Sequence, residues 1–234
     1  MTAFLVHWIR DTCERPFGYF RLAGILSTLY LFPLCIAYAM SSEPARLHAE
    51  GGVIESLSVV CWVAAILVSI VALFRYNNRL DRMLFAWIGF ICGLAAAREL
   101  DAHVLLNPQY LGQYAVHYRI DWFLSNKFKV SILLKLFWAA IFLGLLALLV
   151  APLFILRKPI LRLIRNGDLA TGLLLLGTIG LAMGFVFDDI LRETHFISLT
   201  LRQGIEENAE MLGAVFFLAG ICCLSWKEPS QRLG

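Results

Sequence analysis

The stretch VIESLSVVCWVAAILVSIVALF, residues 53–74, decides the fold. Glu55 is its one charged residue, and its apolar residues run on without alternating. Its length matches the roughly 20 residues that cross a ~30 Å hydrocarbon core as a helix. A barrel strand would alternate lipid-facing and lumen-facing residues, so a continuous run favours a helix, which satisfies its backbone hydrogen bonds internally. Five further runs read the same way: residues 22–40, 83–100, 131–152, 169–187 and 209–226. Across all 234 residues, 60% are apolar and 16% charged, and the mean hydropathy is +0.75. That composition excludes a water-soluble domain of this size. The expected fold is all-α, a polytopic helical bundle of six transmembrane helices forming a single transmembrane domain over residues 1–234.

The charges between the runs give the orientation. Arg10, Arg15 and Arg21 precede the first span, Arg75, Arg79 and Arg82 follow the second, and Arg157, Lys158, Arg162 and Arg165 follow the fourth; Lys227 and Arg232 close the pattern. One face thus holds 12 of the 20 basic residues and 5 of the 17 acidic ones, and the other holds 8 and 12. Basic loops stay in the cytoplasm. Both termini are therefore expected inside, in an inner (plasma) membrane, with the loops around Arg46, Tyr114 and Arg202 outside. A competing reading makes the first span a signal peptide cleaved near Ala37-Tyr38-Ala39. The region ahead of its apolar stretch is unusually long for that. The six cysteines lie in spans or on the inner side and show no zinc-clip or redox spacing.

Short connections predict that spans two and three, and spans four and five, are antiparallel neighbours. Pro33 predicts a kink in span one. Gly89 and Gly93 in span three, Gly172, Gly177, Gly180 and Gly184 in span five, and Gly213 and Gly220 in span six permit close approach, marking these three as candidates for the bundle centre. The longest loop, residues 103–130, carries Tyr110, Tyr114, Tyr118 and Trp122 at four-residue spacing. On a helix these form one aromatic stripe, suited to the outer membrane interface or to a lid over an outward-facing site. The basic segment 157–168 suits anionic headgroups, and no nucleic-acid partner is implied.

The acids gather at the outer ends of the spans. Glu55 and Ser58 open span two; Arg98, Glu99, Asp101 and His103 close span three; Asp188 and Asp189 close span five; Glu206, Glu207 and Glu210 enter span six; Lys135 lies about one turn inside span four. Charges at such depth are costly unless paired, hydrated or cation-bound, so their concentration marks a candidate site. Glu99 and His103 share a helix face, as do Glu206 and Glu210. A carboxylate set with one imidazole suits a hard or borderline divalent metal, with Glu99, His103, Asp188, Glu206 and Glu210 as ligands. Glu55, Arg98, Glu99, Asp101, Lys135 and Glu207 are the candidates for catalytic acid/base and positioning roles. The structural alternative pairs Arg98 and Lys135 with acids of neighbouring spans and Asp188 with Arg192, and leaves four more acids than bases on the outer side. Those acids must be solvated, protonated or cation-bound.

Several chemistries are excluded by motif. The chain lacks the G-x-S-x-G elbow, the H-E-x-x-H zinc helix and the P-loop. Glu206-Glu207 leads to Met211 where a CAAX-type protease would have Arg, and no His lies deep in facing spans as haem would require. The combination Glu55-x-x-Ser58, Arg98-Glu99-Leu100-Asp101-x-His103, a lysine in span four and Glu206-Glu207-x-x-Glu210 resembles a family of six-span bacterial inner-membrane proteins of uncharacterised activity. The resemblance covers residues 50 to 226 and implies a shared outer-face site without implying a reaction. Two function classes stay open: an enzyme or binding protein acting on a lipid-like substrate at the outer leaflet, and a proton- or cation-translocating protein. A non-catalytic membrane assembly partner is the third.

Overall fold

The computed structural model of the protein describes residues 18–40, 52–100, 102, 132–165, 168–187 and 199–227. Among them are six helices: α1 (Gly18–Met40), α2 (Val53–Arg75), α3 (Arg79–Glu99), α4 (Ile132–Arg165), α5 (Leu169–Phe185) and α6 (Leu199–Trp226). No strand occurs among the described residues. Among the described residues, four helical segments are long and apolar enough to cross a membrane: Val53–Arg75, Arg79–Glu99, Lys135–Lys158 and Leu201–Trp226. Two further apolar segments, Arg21–Ile36 and Leu169–Phe185, are shorter.

The helix ends differ from the sequence expectation: α1 begins at Gly18, four residues ahead of the expected 22, and three other ends move as well. α3 begins at Arg79, because Asn78 caps it with a side-chain oxygen that accepts from the Leu80 amide at 3.1 Å; the polar first turn reads as loop only to a hydropathy criterion. α4 runs through Pro152 to Arg165, so the basic segment read as a loop is mostly helix. At 1.5 Å per residue its 34 residues reach about 50 Å, well beyond a ~30 Å core. α6 starts ten residues ahead of the expected boundary, which puts Arg202 on the helix and nearly buried instead of in a loop.

On α2 small side chains make up most of the face that turns inward. On α2 the buried residues are Ile54, Ser58, Trp62, Ala65, Ser69 and Ala72, spaced by three or four along one face. Val53, Leu57, Val60, Val63, Leu67, Ile70 and Phe74 are exposed. Where lipid tails are as apolar as leucine, close packing of small residues orients a helix better than apolarity does.

α6 is the central element: 61% of its apolar span is buried, against 6% for that of α4. It lies between α5 and α2, while α3 packs on α2, α1 touches α5 and α6, and α4 touches α3 and α5. The α5–α6 contact is the closest. A Cβ on Gly180 would stand 2.7 Å from the Ala209 carbonyl oxygen and 2.9 Å from the Gly213 Cα, so only hydrogen fits there. Gly89 of α3 instead faces the Ser69 side chain of α2, so of the three glycine-bearing helices α3 is not central. The glycines of α5 also draw it onto α6, and its contact with α4, its chain neighbour, is slight. Trp62 and Phe217, with ring centroids 5.5 Å apart, and Phe85 fill the core between α2, α3 and α6.

The end of the bundle that carries the α2–α3 connection is tied by polar contacts. Tyr76 Oη donates to the Ser225 carbonyl, Lys227 pairs with Asp168, and Asp168 caps α5. Trp87 Nε1 donates to the Leu149 carbonyl at 3.0 Å and fastens α4 to α3.

Candidate carboxylate site

The opposite end of the bundle gathers the acids. Glu55 lies in the first turn of α2, where the helix dipole favours a negative charge, and Arg98 in the last turn of α3, where it favours a positive one. Glu99 ends α3, and Glu206, Glu207 and Glu210 occupy the third and fourth turns of α6. Antiparallel pairing of α2 with α3, and the return of α6 beside α2, bring all of them to one layer.

Glu210 is the fixed point of the site. Its side chain is 7% exposed, and Arg98 Nη1 donates to its Oε1 at 2.5 Å. The space for it is made by α5: a Cβ on Gly184 would fall 2.4 Å from both Cγ and Oε1 of Glu210. Glu99, half-buried, stands within electrostatic reach of Glu210 and beside Ser58. Ser58 is buried, with its hydroxyl facing Glu99. Glu207 stands within electrostatic reach of Glu210, Glu99, Glu55 and Glu206. Five carboxylates from three helices therefore share one neighbourhood, with the Arg98 guanidinium on Glu210.

A second polar contact joins this layer from α1. Tyr30 Oη donates to Asn208 Oδ1 at 2.7 Å, and Asn208 Nδ2 donates to the Gly204 carbonyl at 2.6 Å. Tyr30 also lies within electrostatic reach of Glu207. Neither Tyr30 nor Gly184 was identifiable as a site residue from sequence. Gly184 belongs to a run of glycines that reads as packing, and nothing local connects Tyr30 to a residue 178 positions away.

The sequence candidates divide as follows. Glu55, Arg98, Glu99, Glu206, Glu207 and Glu210 are brought together. Lys135 is half-buried in the first turn of α4, a helix that touches α3 and, slightly, α5. Asp101, His103, Asp188, Asp189 and Arg192, together with the aromatic stripe Tyr110, Tyr114, Tyr118 and Trp122, lie outside the described residues. Among the described residues no three His, Cys, Asp or Glu side chains converge as a metal-binding group. The described carboxylates thus interact as charges without forming a closed coordination sphere; ligands in such a sphere lie about 2.0–2.6 Å from the ion.

Chemically, such a layer can exchange protons or hold a cation. Close carboxylates cannot all remain ionised in a poorly hydrated environment without compensation. Comparison of the chain with known protein families, with curated proteins and with solved structures finds no match.

Proposed function

We propose that the protein is a six-span inner-membrane protein with both termini in the cytoplasm, and that its carboxylate layer is an outward-facing site for a divalent cation or exchangeable protons. In this reading α1 and α5 span together with the other four. The site acts on, or binds, a lipid-like substrate at the outer leaflet. Glu99 and Glu207 are the working acid/base or cation-binding groups, Glu55 and Glu206 add negative potential, and Arg98 holds Glu210 in place.

The observation that carries this reading is the mismatch around Glu210. Arg98 is engaged by it, yet Glu99 and Glu207 crowd the same carboxylate. Translocation is the weaker alternative. Ser69 donates to the Ala65 carbonyl at 2.9 Å and Thr178 to the Leu174 carbonyl at 2.9 Å, so these hydroxyls are used within their own helices and do not extend a polar path inward.

Two measurements test the proposal. Reporter fusions at Gly234 and within the loop around Tyr114 should place the first inside and the second outside; a C-terminal reporter active on the outer side would overturn the topology. For the site, thermal unfolding of the full chain in mild detergent should shift upward on addition of Mg²⁺, Ca²⁺, Mn²⁺ or Zn²⁺, or on acidification, since a ligand that binds only the folded state stabilises it. Glu99→Gln with Glu207→Gln should abolish the shift. Wild-type protein indifferent to all four ions and to pH would remove the site reading.

A further inference from the structure

At the carboxylate end of the bundle, α6 begins with a cation that its own helix disfavours. Arg202 lies in the first turn, which contains no acidic residue, and the positive end of the helix dipole opposes a second positive charge there. The side chain is also withdrawn from water. Arg202 is 8% exposed, and its Nε is sealed from solvent with no hydrogen-bond acceptor among the described residues. Glu206 stands four residues on, but the order Arg-x-x-x-Glu is the less favourable one for pairing along a helix. A buried guanidinium is costly without an anion beside it.

The register of α6 sets that cation beside the site. Arg202, Glu206 and Glu210 recur at four-residue spacing and form one stripe. Helical side chains lean toward the N-terminus, so both carboxylates lean toward the turn that bears Arg202. Four residues rise about 6 Å along the axis. A phosphate spans such a gap, with one oxygen on a carboxylate-bound cation and two on the guanidinium fork.

We infer that Arg202 is the anion-binding residue of the carboxylate site, and that the lipid this site takes carries a phosphate held between Arg202 and a divalent cation. The inference rests on the reading of the carboxylate layer as a cation site and names the substrate class of that site. Carboxylates alone repel an anion, whereas a divalent ion among them reverses the local charge. Mg²⁺ in particular is commonly shared between protein carboxylates and substrate phosphates. Arginine suits the other side of the phosphate, because its planar fork matches two phosphate oxygens and is more weakly hydrated than an ammonium. The first turn of α6 is unfavourable for the arginine alone and favourable for the phosphate it would bind.

The test uses the full chain in mild detergent and reads thermal unfolding with Mg²⁺ or Mn²⁺ alone, and then with dihexanoyl phosphatidic acid, dihexanoylglycerol or inorganic phosphate added. A ligand of the folded state raises the midpoint. Wild-type protein should therefore gain an increment from phosphatidic acid beyond that of the cation, and none from the neutral lipid. Arg202→Met should keep the cation shift and bind phosphatidic acid at least about tenfold more weakly. Without ligand it should unfold at or above the wild-type midpoint, since an apolar chain replaces an unpaired buried charge. A cation shift with no phosphatidic acid increment, or an increment untouched by Arg202→Met, would overturn this inference and leave the cation site standing. An equal increment from inorganic phosphate would overturn the assignment to a lipid. A sharp fall in the unliganded midpoint of Arg202→Met, or its failure to fold, would make Arg202 the structural partner of an acid of the chain and overturn the inference too. Wild-type protein indifferent to both cations would overturn it at its premise.

Discussion

Gly180→Val is expected to produce the largest loss of stability of any single change in the described helices. The added Cβ would meet the Ala209 carbonyl oxygen at 2.7 Å and the Gly213 Cα at 2.9 Å. Both are backbone atoms of the central helix, so no rotamer change relieves the contact and α5 must move away from α6. Overpacking typically costs about 1–3 kcal/mol and occasionally more; here the displaced element also carries Gly184, which makes room for Glu210. Thermal unfolding in detergent should show a markedly lower midpoint, with loss of any cation-dependent shift. Gly93→Ala is the control. Nothing lies within 4 Å of its added Cβ, so the gain in helix propensity, up to about 1 kcal/mol, is unopposed. Equal midpoints for Gly180→Val and wild type would mean that α5 and α6 do not approach as described.

Existence of the apolar helices was legible because a membrane span must be both long and continuously apolar, and residues 53–74 satisfy that without ambiguity. Boundaries were less legible, since hydropathy measures suitability for lipid and says little about where a helix stops. Pro152 read as an end, yet α4 continues past it by 13 residues to Arg165; Glu206 and Glu207 read as the entry to a span, yet α6 begins seven residues before Glu206. The inward face of α2 was hidden for a related reason: in lipid, Ile70 outside and Ala65 inside are equally acceptable to a hydropathy scale. The stripe of Ser58, Ala65, Ser69 and Ala72 carried the signal through size. For the site, the gathering of Glu55, Glu99, Glu206, Glu207 and Glu210 in one layer followed from topology and the cost of charge. Which acid would take Arg98, and which helix would leave space for it, depended on a glycine of α5 and on helix rotation, neither of which a single sequence encodes locally.

The Arg98–Glu210 pair should respond asymmetrically to the loss of its two members, because the side chains differ in exposure, 38% for Arg98 and 7% for Glu210. Glu210→Gln keeps shape and hydrogen bonding and leaves a cation that solvent already reaches in part. Its cost should therefore stay near the about 0–1 kcal/mol of exposed pairs. Arg98→Met removes the guanidinium from a buried carboxylate in the tight space beside Gly184, facing Glu99 and Glu207, and should approach the about 3–5 kcal/mol of a broken buried pair. Adding Glu210→Gln to Arg98→Met should restore most of that loss, a coupling that a double-mutant cycle on unfolding midpoints would read directly. Function should follow the opposite order. With Glu210 neutral, the freed Arg98 charge opposes any cation held by Glu99 and Glu207, so Glu210→Gln should lose the cation-dependent shift while unfolding near the wild-type midpoint. An unstable Glu210→Gln protein rescued by Arg98→Met would identify the pair as a structural ion pair and remove the principal reason for assigning this layer a site.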